Sequence, residues 1–464
     1  MDNSPFLQQR SASGSRVTQK TLPIYADSFD SGMDKVGATF TILKAMLGPG
    51  ILYSPYGFEE GGVIFAFFMI GLAYGLFAWS ALSLLACWRE NRNLDYSAMM
   101  SLALEDHPLG RAIIDSVTVF QQCGICLTYF IFVARNMQDI ALLVGMRLHL
   151  STLCALQLLC YWPLTTISSI QRLQKTSIIG NCLVMYCLTV FLVFAASSLI
   201  TEGTALNTAD NSAASTAQHW LLNRTSFYLF IGTSCFMFEG SVANILSVQN
   251  AMRDELKASF PEILMRTVGA YVTFVAFFGF VNWIALGDFT NINLTLNLPS
   301  GFWKSTVQVA YSIAVCLSFP LQVFPAIHTI HRLLAARIVA CRKMLKNVAF
   351  NDNVELNPES RKFSWMRIID ETSDRTVIST LLCVLLLIIA IGAVDHLPGL
   401  VSFVGALFGI PYCFCFPSFI HLRLLPNSPI WVKYVNVIVM TSGLALSVVC
   451  SSLSAWSIIS ANAR

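Results

Sequence analysis

The chain has 464 residues, of which 55% are hydrophobic and only 12% are charged. Soluble domains carry about 25% charged residues, so part of the apolar surface of this chain must face lipid. The formal net charge of +3 is small and indicates no particular partner, and we expect no nucleic-acid partner.

The N-terminal residues 1–36 are polar and rich in Ser, Gln and Asp, which predicts a disordered cytosolic tail. They contain no apolar h-region, so we expect no cleaved signal peptide. Eleven apolar windows of about 20 residues follow, each long enough to cross a bilayer as a helix. They lie at 37–57, 62–86, 113–134, 152–169, 177–200, 225–247, 264–286, 304–327, 377–394, 399–420 and 434–458. The sequence therefore predicts an all-α integral membrane protein with a transmembrane domain over residues 37–458.

The basic residues predict how these helices are oriented. If the N-terminus is cytosolic, the inner segments hold 23 of the 29 Lys and Arg residues, as the positive-inside rule requires. Residues 329–375 are then a cytosolic loop between helices eight and nine, and residues 459–464 are a short non-cytosolic tail. The basic start of that loop is interpreted first as a topology signal, and contact with anionic membrane lipid is the alternative.

Two sequons fall on the predicted outer side. Asn223 and Asn293 each begin an Asn-x-Thr pattern, and we predict that both are glycosylated.

Two of the eleven windows are interrupted by helix-breaking residues. The first contains Gly48, Pro49 and Gly50, and the sixth contains the small and polar segment 232–241 with a carboxylate, Glu239. Unpaired backbone groups are costly in lipid, so such breaks are expected to face an internal cavity. A broken first helix in each of two five-helix halves is typical of transporters built from inverted repeats.

A broken helix has chemistry that suits an amino acid. The free N–H groups of one half-helix bind a carboxylate, and the free C=O groups of the other bind an ammonium group or a cation. The alternative is a Gly/Pro kink that serves packing only. The candidate substrate-binding residues are Gly48, Gly50, Ile51, Leu52, Tyr129, Thr233, Ser234, Phe236 and Glu239.

Several of these side chains also have a plain structural interpretation. Intramembrane carboxylates are costly and usually functional, so Glu239 is a candidate proton carrier, although it could equally pair with a Lys, an Arg or a backbone amide. Lys44, the second candidate for ion coupling, could instead extend to the cytosolic interface. Tyr129 could be an ordinary core aromatic, and Thr233 and Ser234 could serve helix packing.

Five segments resemble, in order, the amino acid/auxin permease family, and especially its proton-coupled amino acid transporter branch with the vacuolar relatives. They are residues 43–52, 129–136, 238–252, 319–326 and 404–421. The resemblance implies an eleven-helix fold of LeuT type, with five-plus-five inverted repeats and broken helices one and six. It also implies secondary transport of amino acids, often coupled to protons, at the plasma membrane or at vacuoles and lysosomes.

This chain departs from the family at two positions of the first motif. Pro49 stands where relatives usually carry Thr, Ser or Ala, so the predicted carboxylate cradle has one N–H donor fewer. The second position is Lys44. The resemblance implies that sodium-coupled relatives carry an Asn there. Because Lys has three donors and no acceptor, it cannot coordinate sodium.

The sequence thus predicts a secondary active transporter for small neutral amino acids, proton-coupled and sodium-independent, that works by alternating access. An amino-acid-sensing receptor or signalling scaffold on the same fold is the alternative. An intramembrane enzyme is a third class, but the membrane segments contain no His-Glu-x-x-His or paired His/Asp pattern. We therefore expect no enzymatic activity, no metal and no cofactor.

Overall fold

A computed structural model of the chain describes residues 33–91, 94–165, 170–201, 203, 220–351 and 371–462. These residues are mostly helical, apart from an isolated parallel β-bridge between Met33 and Met252 and short connecting segments. The α-helices are α1 (Lys35–Met46), α2 (Ser54–Gly61), α3 (Val63–Glu90), α4 (Tyr96–Ala103), α5 (Pro108–Leu143), α6 (Leu150–Thr165), α7 (Ile170–Thr201), α8 (Phe227–Phe236), α9 (Glu239–Ala251), α10 (Phe260–Leu286), α11 (Phe302–Asn351), α12 (Glu371–Gly392), α13 (Leu397–Val404), α14 (Phe416–Leu424) and α15 (Ile430–Asn462).

Each of the eleven windows predicted from the sequence overlaps one of these helices or a pair of them. Seven helical stretches among the described residues are long and apolar enough to cross a membrane, and three apolar helices are shorter. The chain is therefore an all-α, multi-pass membrane protein. Two predicted boundaries change: α11 continues through Asn351, so the predicted loop 329–375 begins as helix, and α15 extends past the predicted end at 458. Residues 1–32 and 352–370 of the predicted tail and loop lie outside the described residues.

Helix one, the first of the eleven predicted helices, is broken in the structure into α1 and α2. Gly48 is fully extended, with φ −139° and ψ −171°, because the residue before a proline is driven away from the helical region. A short 3₁₀ turn, Pro49–Tyr53, then leads into α2. Gly62 ends α2 in a left-handed conformation with φ +81°, which glycine adopts without a Cβ clash, and α3 starts directly after it.

Helix six is broken more mildly. Met237 and Phe238 separate α8 from α9 as a two-residue turn whose dihedral angles stay near the helical region. The break predicted in segment 232–241 is therefore present, although it is a turn rather than an extended stretch.

The two broken helices run antiparallel with their breaks side by side. α1 packs against α9, and α2 packs against α8. At the face where the chain enters α1, the N–H of Met33 donates to the carbonyl of Ala251 (2.8 Å). At the opposite face, the N–H of Asn223 donates to the carbonyl of Gly61 (3.1 Å). We call the face with the Met33–Ala251 hydrogen bond the inner face and the face with the Asn223–Gly61 hydrogen bond the outer face.

Helices α5 and α11 share the most extensive contact between any two described elements. An ion pair lies at each end of this contact: Arg332 with the buried Asp115 near the inner face, and Lys304 with Asp139 (2.9 Å) near the outer face. Charges that are paired inside a helix bundle fix the register of the two helices, because a slip would leave a buried charge unpaired.

Helix ten, the tenth predicted helix, consists of α13, two π-helical segments and α14. The π-helical segments are Gly405–Gly409 and Pro411–Cys415. Gly405 lies directly against the backbone of Gly232 in α8, and a methyl group on either glycine would overlap a backbone oxygen of the other helix. Small residues permit this close approach of two helices in a membrane, and here it brings helix ten against the first half of helix six.

Candidate substrate site

A small cavity of about 40 Å³ lies where the two breaks meet. Residues of both breaks line it, together with residues of α5, α10 and α11. The lining residues are Ala45, Met46, Gly48, Gly50, Ile125, Tyr129, Phe236, Met237, Tyr271 and Gln322. None of these side chains carries a formal charge at neutral pH, so the wall offers hydroxyl, amide, backbone and apolar groups.

Two buried tyrosines bind the carbonyl groups that the break in helix one sets free. The hydroxyl of Tyr271 in α10 donates to the carbonyl of Met46 at 3.1 Å. The hydroxyl of Tyr311 in α11 donates to the carbonyl of Gly48, also at 3.1 Å. These bonds meet the requirement that backbone acceptors inside a membrane protein find partners.

The start of the second half of helix one offers a donor at the cavity. The N–H of Ile51 donates to the carbonyl of Gly48 at 3.3 Å, whereas the N–H of Gly50 has no backbone partner among the described residues. Gly50 also lies against Phe236, since a methyl group placed on it would meet a ring carbon at 3.5 Å. The cavity wall at Gly50 is therefore a backbone surface covered by an aromatic ring.

The opposite wall comes from α5 and α11. The hydroxyl of Tyr129 approaches Gly48, and a methyl group on that glycine would meet the oxygen at 3.5 Å. The amide of Gln322 donates to the side-chain oxygen of Gln122, which joins α11 to α5 beside the cavity. Two neutral polar groups therefore face the first break.

Four of the residues predicted from the sequence line the cavity: Gly48, Gly50, Tyr129 and Phe236. Ile51, Leu52, Thr233 and Ser234 are not among the residues that line it. Ile51 and Leu52 are fully buried in the adjacent core. The hydroxyl of Thr233 donates to the carbonyl of Leu229 (3.0 Å), and that of Ser234 to the carbonyl of Ile231 (2.9 Å), so both serve their own helix.

The side chains of Lys44 and Glu239, the two ion-coupling candidates, lie outside those that the structure describes. Their backbone positions are described. Lys44 is in the last turn of α1, and Glu239 is the first residue of α9, directly after the second break. Their coupling roles stay predictions.

Sequence reasoning missed several cavity residues, namely Ala45, Met46, Ile125, Met237, Tyr271 and Gln322. Met46 and Met237 adjoin the breaks, and Gln322 is an amide within an apolar window, in the family-like segment 319–326. These were usable signals. Tyr271 carries no such local signal, because its partner is 225 residues away in the chain.

The two predicted glycosylation sites are engaged within the fold. Asn293 is fully buried, and its side-chain nitrogen donates to Asn136 at 2.9 Å, which leaves no room for a glycan on that atom. Thr295 of the same sequon is also fully buried and donates to Asn136. The side-chain nitrogen of the half-buried Asn223 donates to the carbonyl of Glu59 at 3.0 Å. Both side-chain nitrogens thus donate hydrogen bonds within the fold, and the glycosylation of the two sequons stays a prediction.

Fold and cavity together define a multi-pass helical membrane protein with a neutral polar site at two aligned helix breaks. Residues 34–460 match the family described as transmembrane amino acid transporter protein, and the chain belongs to this family. The resemblance found in the sequence is thereby confirmed, and the family is one of transporters rather than enzymes.

Individual relatives agree with this family. The chain is 30% identical over 388 residues to vacuolar amino acid transporter 4 of Saccharomyces cerevisiae, covering 82% of this chain and 52% of that protein. It is 25% identical over 436 residues to amino acid transporter ANT1 of Arabidopsis thaliana, covering 90% of this chain and 92% of that protein. The chain spans about half the length of the yeast relative.

A solved structure is also similar in outline. It is the crystal structure of an Eremococcus coleocola manganese transporter mutant, with a TM-score of 0.48 and 12% sequence identity. The similarity covers 90% of this chain and 86% of that one.

Proposed function

We propose that this chain is a secondary active transporter that carries small neutral amino acids across a membrane by alternating access. Transport is coupled to protons and independent of sodium. The family supports the class of substrate, and the cavity supports the finer statements.

The observation that carries the proposal is the cavity at the meeting point of two antiparallel broken helices. An amino acid has one negative and one positive end and no net charge. The N–H of Gly50 can bind its carboxylate, and the carbonyl of Met46 keeps a second lone pair for its ammonium group. A wall without formal charges fits a solute that is neutral overall, since a net charge there would lack a counter-charge among the described lining side chains.

The contact between Phe236 and Gly50 supports a small side chain on the substrate. The ring of Phe236 lies within van der Waals distance of a methyl group placed on Gly50, at the wall of the cavity. A bulky aromatic substrate would have to displace this ring.

The sodium-independent coupling rests on Lys44 and Glu239. Lys44 stands where the sodium-coupled relatives carry Asn, and a Lys side chain has no acceptor for a metal cation. Glu239 begins α9 directly beside the second break, where a carboxylate can take up and release a proton during the transport cycle.

The remaining features follow the family and the charge pattern. We propose a LeuT-type arrangement of eleven transmembrane helices, with the inner face in the cytosol. We also propose a vacuolar, lysosomal or plasma-membrane location, since relatives of this chain are named vacuolar transporters. The partners are then the amino acid, the proton and membrane lipid.

The proposal is tested by uptake into proteoliposomes containing the purified chain. Radiolabelled alanine, glutamate, lysine and tryptophan are compared at equal concentration, with empty liposomes as the control. We expect uptake of alanine well above that of the charged and the bulky amino acids. Equal transport of lysine or glutamate would contradict a neutral site.

A further inference from the structure

The break in helix one leaves carbonyl groups without partners in their own helix, and those of Met46 and Gly48 are two of them. Unwound carbonyls in broken membrane helices commonly coordinate sodium. In this chain the carbonyls of Met46 and Gly48 already have partners, the hydroxyls of Tyr271 and Tyr311.

The two tyrosines reach the break from two different helices and are almost completely buried. Tyr271 is 3% exposed and Tyr311 is 0% exposed. The ring of Tyr311 also contacts that of Phe132 in α5, with centroids 5.3 Å apart. Each hydroxyl is thus held in place by a packed ring, and its direction is set by the fold.

The carbonyl of Gly48 is fully engaged. It accepts from the Tyr311 hydroxyl at 3.1 Å and from the N–H of Ile51 at 3.3 Å, which uses both of its lone pairs. The carbonyl of Met46 accepts from Tyr271, and both of these residues line the cavity. Tyr311 therefore binds the break without lining the cavity, whereas Tyr271 is part of the cavity wall.

We propose that the hydroxyls of Tyr271 and Tyr311 replace a bound metal cation at this break and position its backbone for the substrate. A hydroxyl hydrogen offers a carbonyl the positive partner that an ion would supply, without burying a full charge. Both tyrosines are positioning residues. The inference rests on the proposed amino acid transport, and it adds a structural reason why that transport needs no sodium.

The test uses Tyr271→Phe, Tyr311→Phe and the double variant, which keep the rings and remove only the hydroxyls. The matched control is Tyr74→Phe, because the Tyr74 hydroxyl also donates to a backbone carbonyl, that of Met265 at 3.2 Å, away from the cavity. Alanine uptake is measured in sodium chloride and in choline chloride, and KM and the maximal rate are obtained separately.

We expect each single variant to raise KM in choline by about threefold to tenfold, the effect of leaving a buried acceptor unpaired. Sodium should lower KM again in the variants, most clearly in the double variant, because the freed carbonyls can then bind the ion. The wild type and Tyr74→Phe should behave alike in both salts. An unchanged KM in both single variants, or a rise that is equal in sodium and choline, would overturn the proposal.

A second measurement does not depend on transport. The melting temperature of the purified protein is compared in sodium and choline without any substrate. We expect sodium to raise it in the double variant and to leave the wild type and Tyr74→Phe unchanged. If no amino acid is transported but this pattern appears, the proposed function fails while the cation replacement stands. A wild type that is itself stabilised by sodium would refute the replacement.

Discussion

At the scale of single residues, Gly50 brings the backbone of the first break directly against the ring of Phe236 in the cavity wall. Gly50 contacts Phe236 at van der Waals distance, so there is room for a methyl group but not for a branched side chain. This contact makes Gly50 the most sensitive position for a graded test.

We predict that Gly50→Val abolishes or severely reduces transport, whereas Gly50→Ala retains much of it. Overpacking of about 1–3 kcal/mol corresponds to a loss of affinity of about 5-fold to 150-fold. Alanine uptake is measured at equal abundance of each variant in the membrane. Gly75→Val is the control, because Gly75 in α3 has no neighbour within 4 Å of an added Cβ. Normal uptake by Gly50→Val would remove Gly50 from the site.

The role of Glu239 gives a second prediction at this scale. Glu239→Gln keeps the shape of the side chain but cannot carry a proton. Exchange of internal for external amino acid should survive, while the dependence of uptake on pH should disappear. The matched control is Glu262→Gln, since Glu262 is exposed and pairs only with Arg266 among the described residues. If Glu239→Gln keeps the pH profile of the wild type, another group carries the proton.

The residues of the site could be predicted from the sequence only where their effect is local. Gly48 and Gly50 were found because glycine and proline act on their own backbone. For Thr233 and Ser234 the sequence left a binding and a packing role open, because a hydroxyl in a helix readily bonds a carbonyl of the preceding turn, as both do here. Tyr311 was missed because its partner is 263 residues away, and no local pattern encodes such a contact.

At the scale of helices, the close crossing of α8 and helix ten supports the second break. Gly232 and Gly405 meet backbone to backbone, one turn before the cavity residue Phe236. Any added side chain at this crossing must push the two helices apart, and the shift would reach Phe236.

We predict that Gly405→Ala and Gly232→Ala destabilise the protein by about 1–3 kcal/mol and reduce transport. Gly71→Ala in α3 is the control, because it has open space around it and gains helix propensity. Thermal unfolding in detergent and alanine uptake are measured together. Variants of both glycines that melt and transport like the wild type would show that the crossing tolerates separation.

The positions of the apolar helices along the chain could be predicted because a membrane requires long apolar segments. Helix ends were harder, and α11 shows the reason. Its helix continues through Asn351, well beyond its apolar stretch, and hydropathy does not indicate where a polar helix stops. The π-helical segments of helix ten were likewise invisible to hydropathy, since they keep the same apolar composition.

At the scale of the whole molecule, the distribution of basic residues predicts one orientation in the membrane. Single cysteines are introduced, on a background that lacks reactive native thiols, into 170–176, 201–224, 287–302 and 329–375. A membrane-impermeant reagent is then added to intact vesicles of known sidedness. We predict that 170–176 and 329–375 are labelled from the cytosolic side, and 201–224 and 287–302 from the opposite side. Labelling of 201–224 and 329–375 from the same side would contradict this topology.

The most direct test of the account is the driving force for alanine uptake by the reconstituted wild-type protein. Proteoliposomes are given an inward proton gradient in choline chloride, and parallel samples receive a sodium gradient at equal pH on both sides. We predict concentrative uptake with the proton gradient, its loss when a protonophore is added, and no concentrative uptake with sodium alone. Uptake that requires sodium would contradict the coupling, and alanine binding without flux under any gradient would instead identify a receptor.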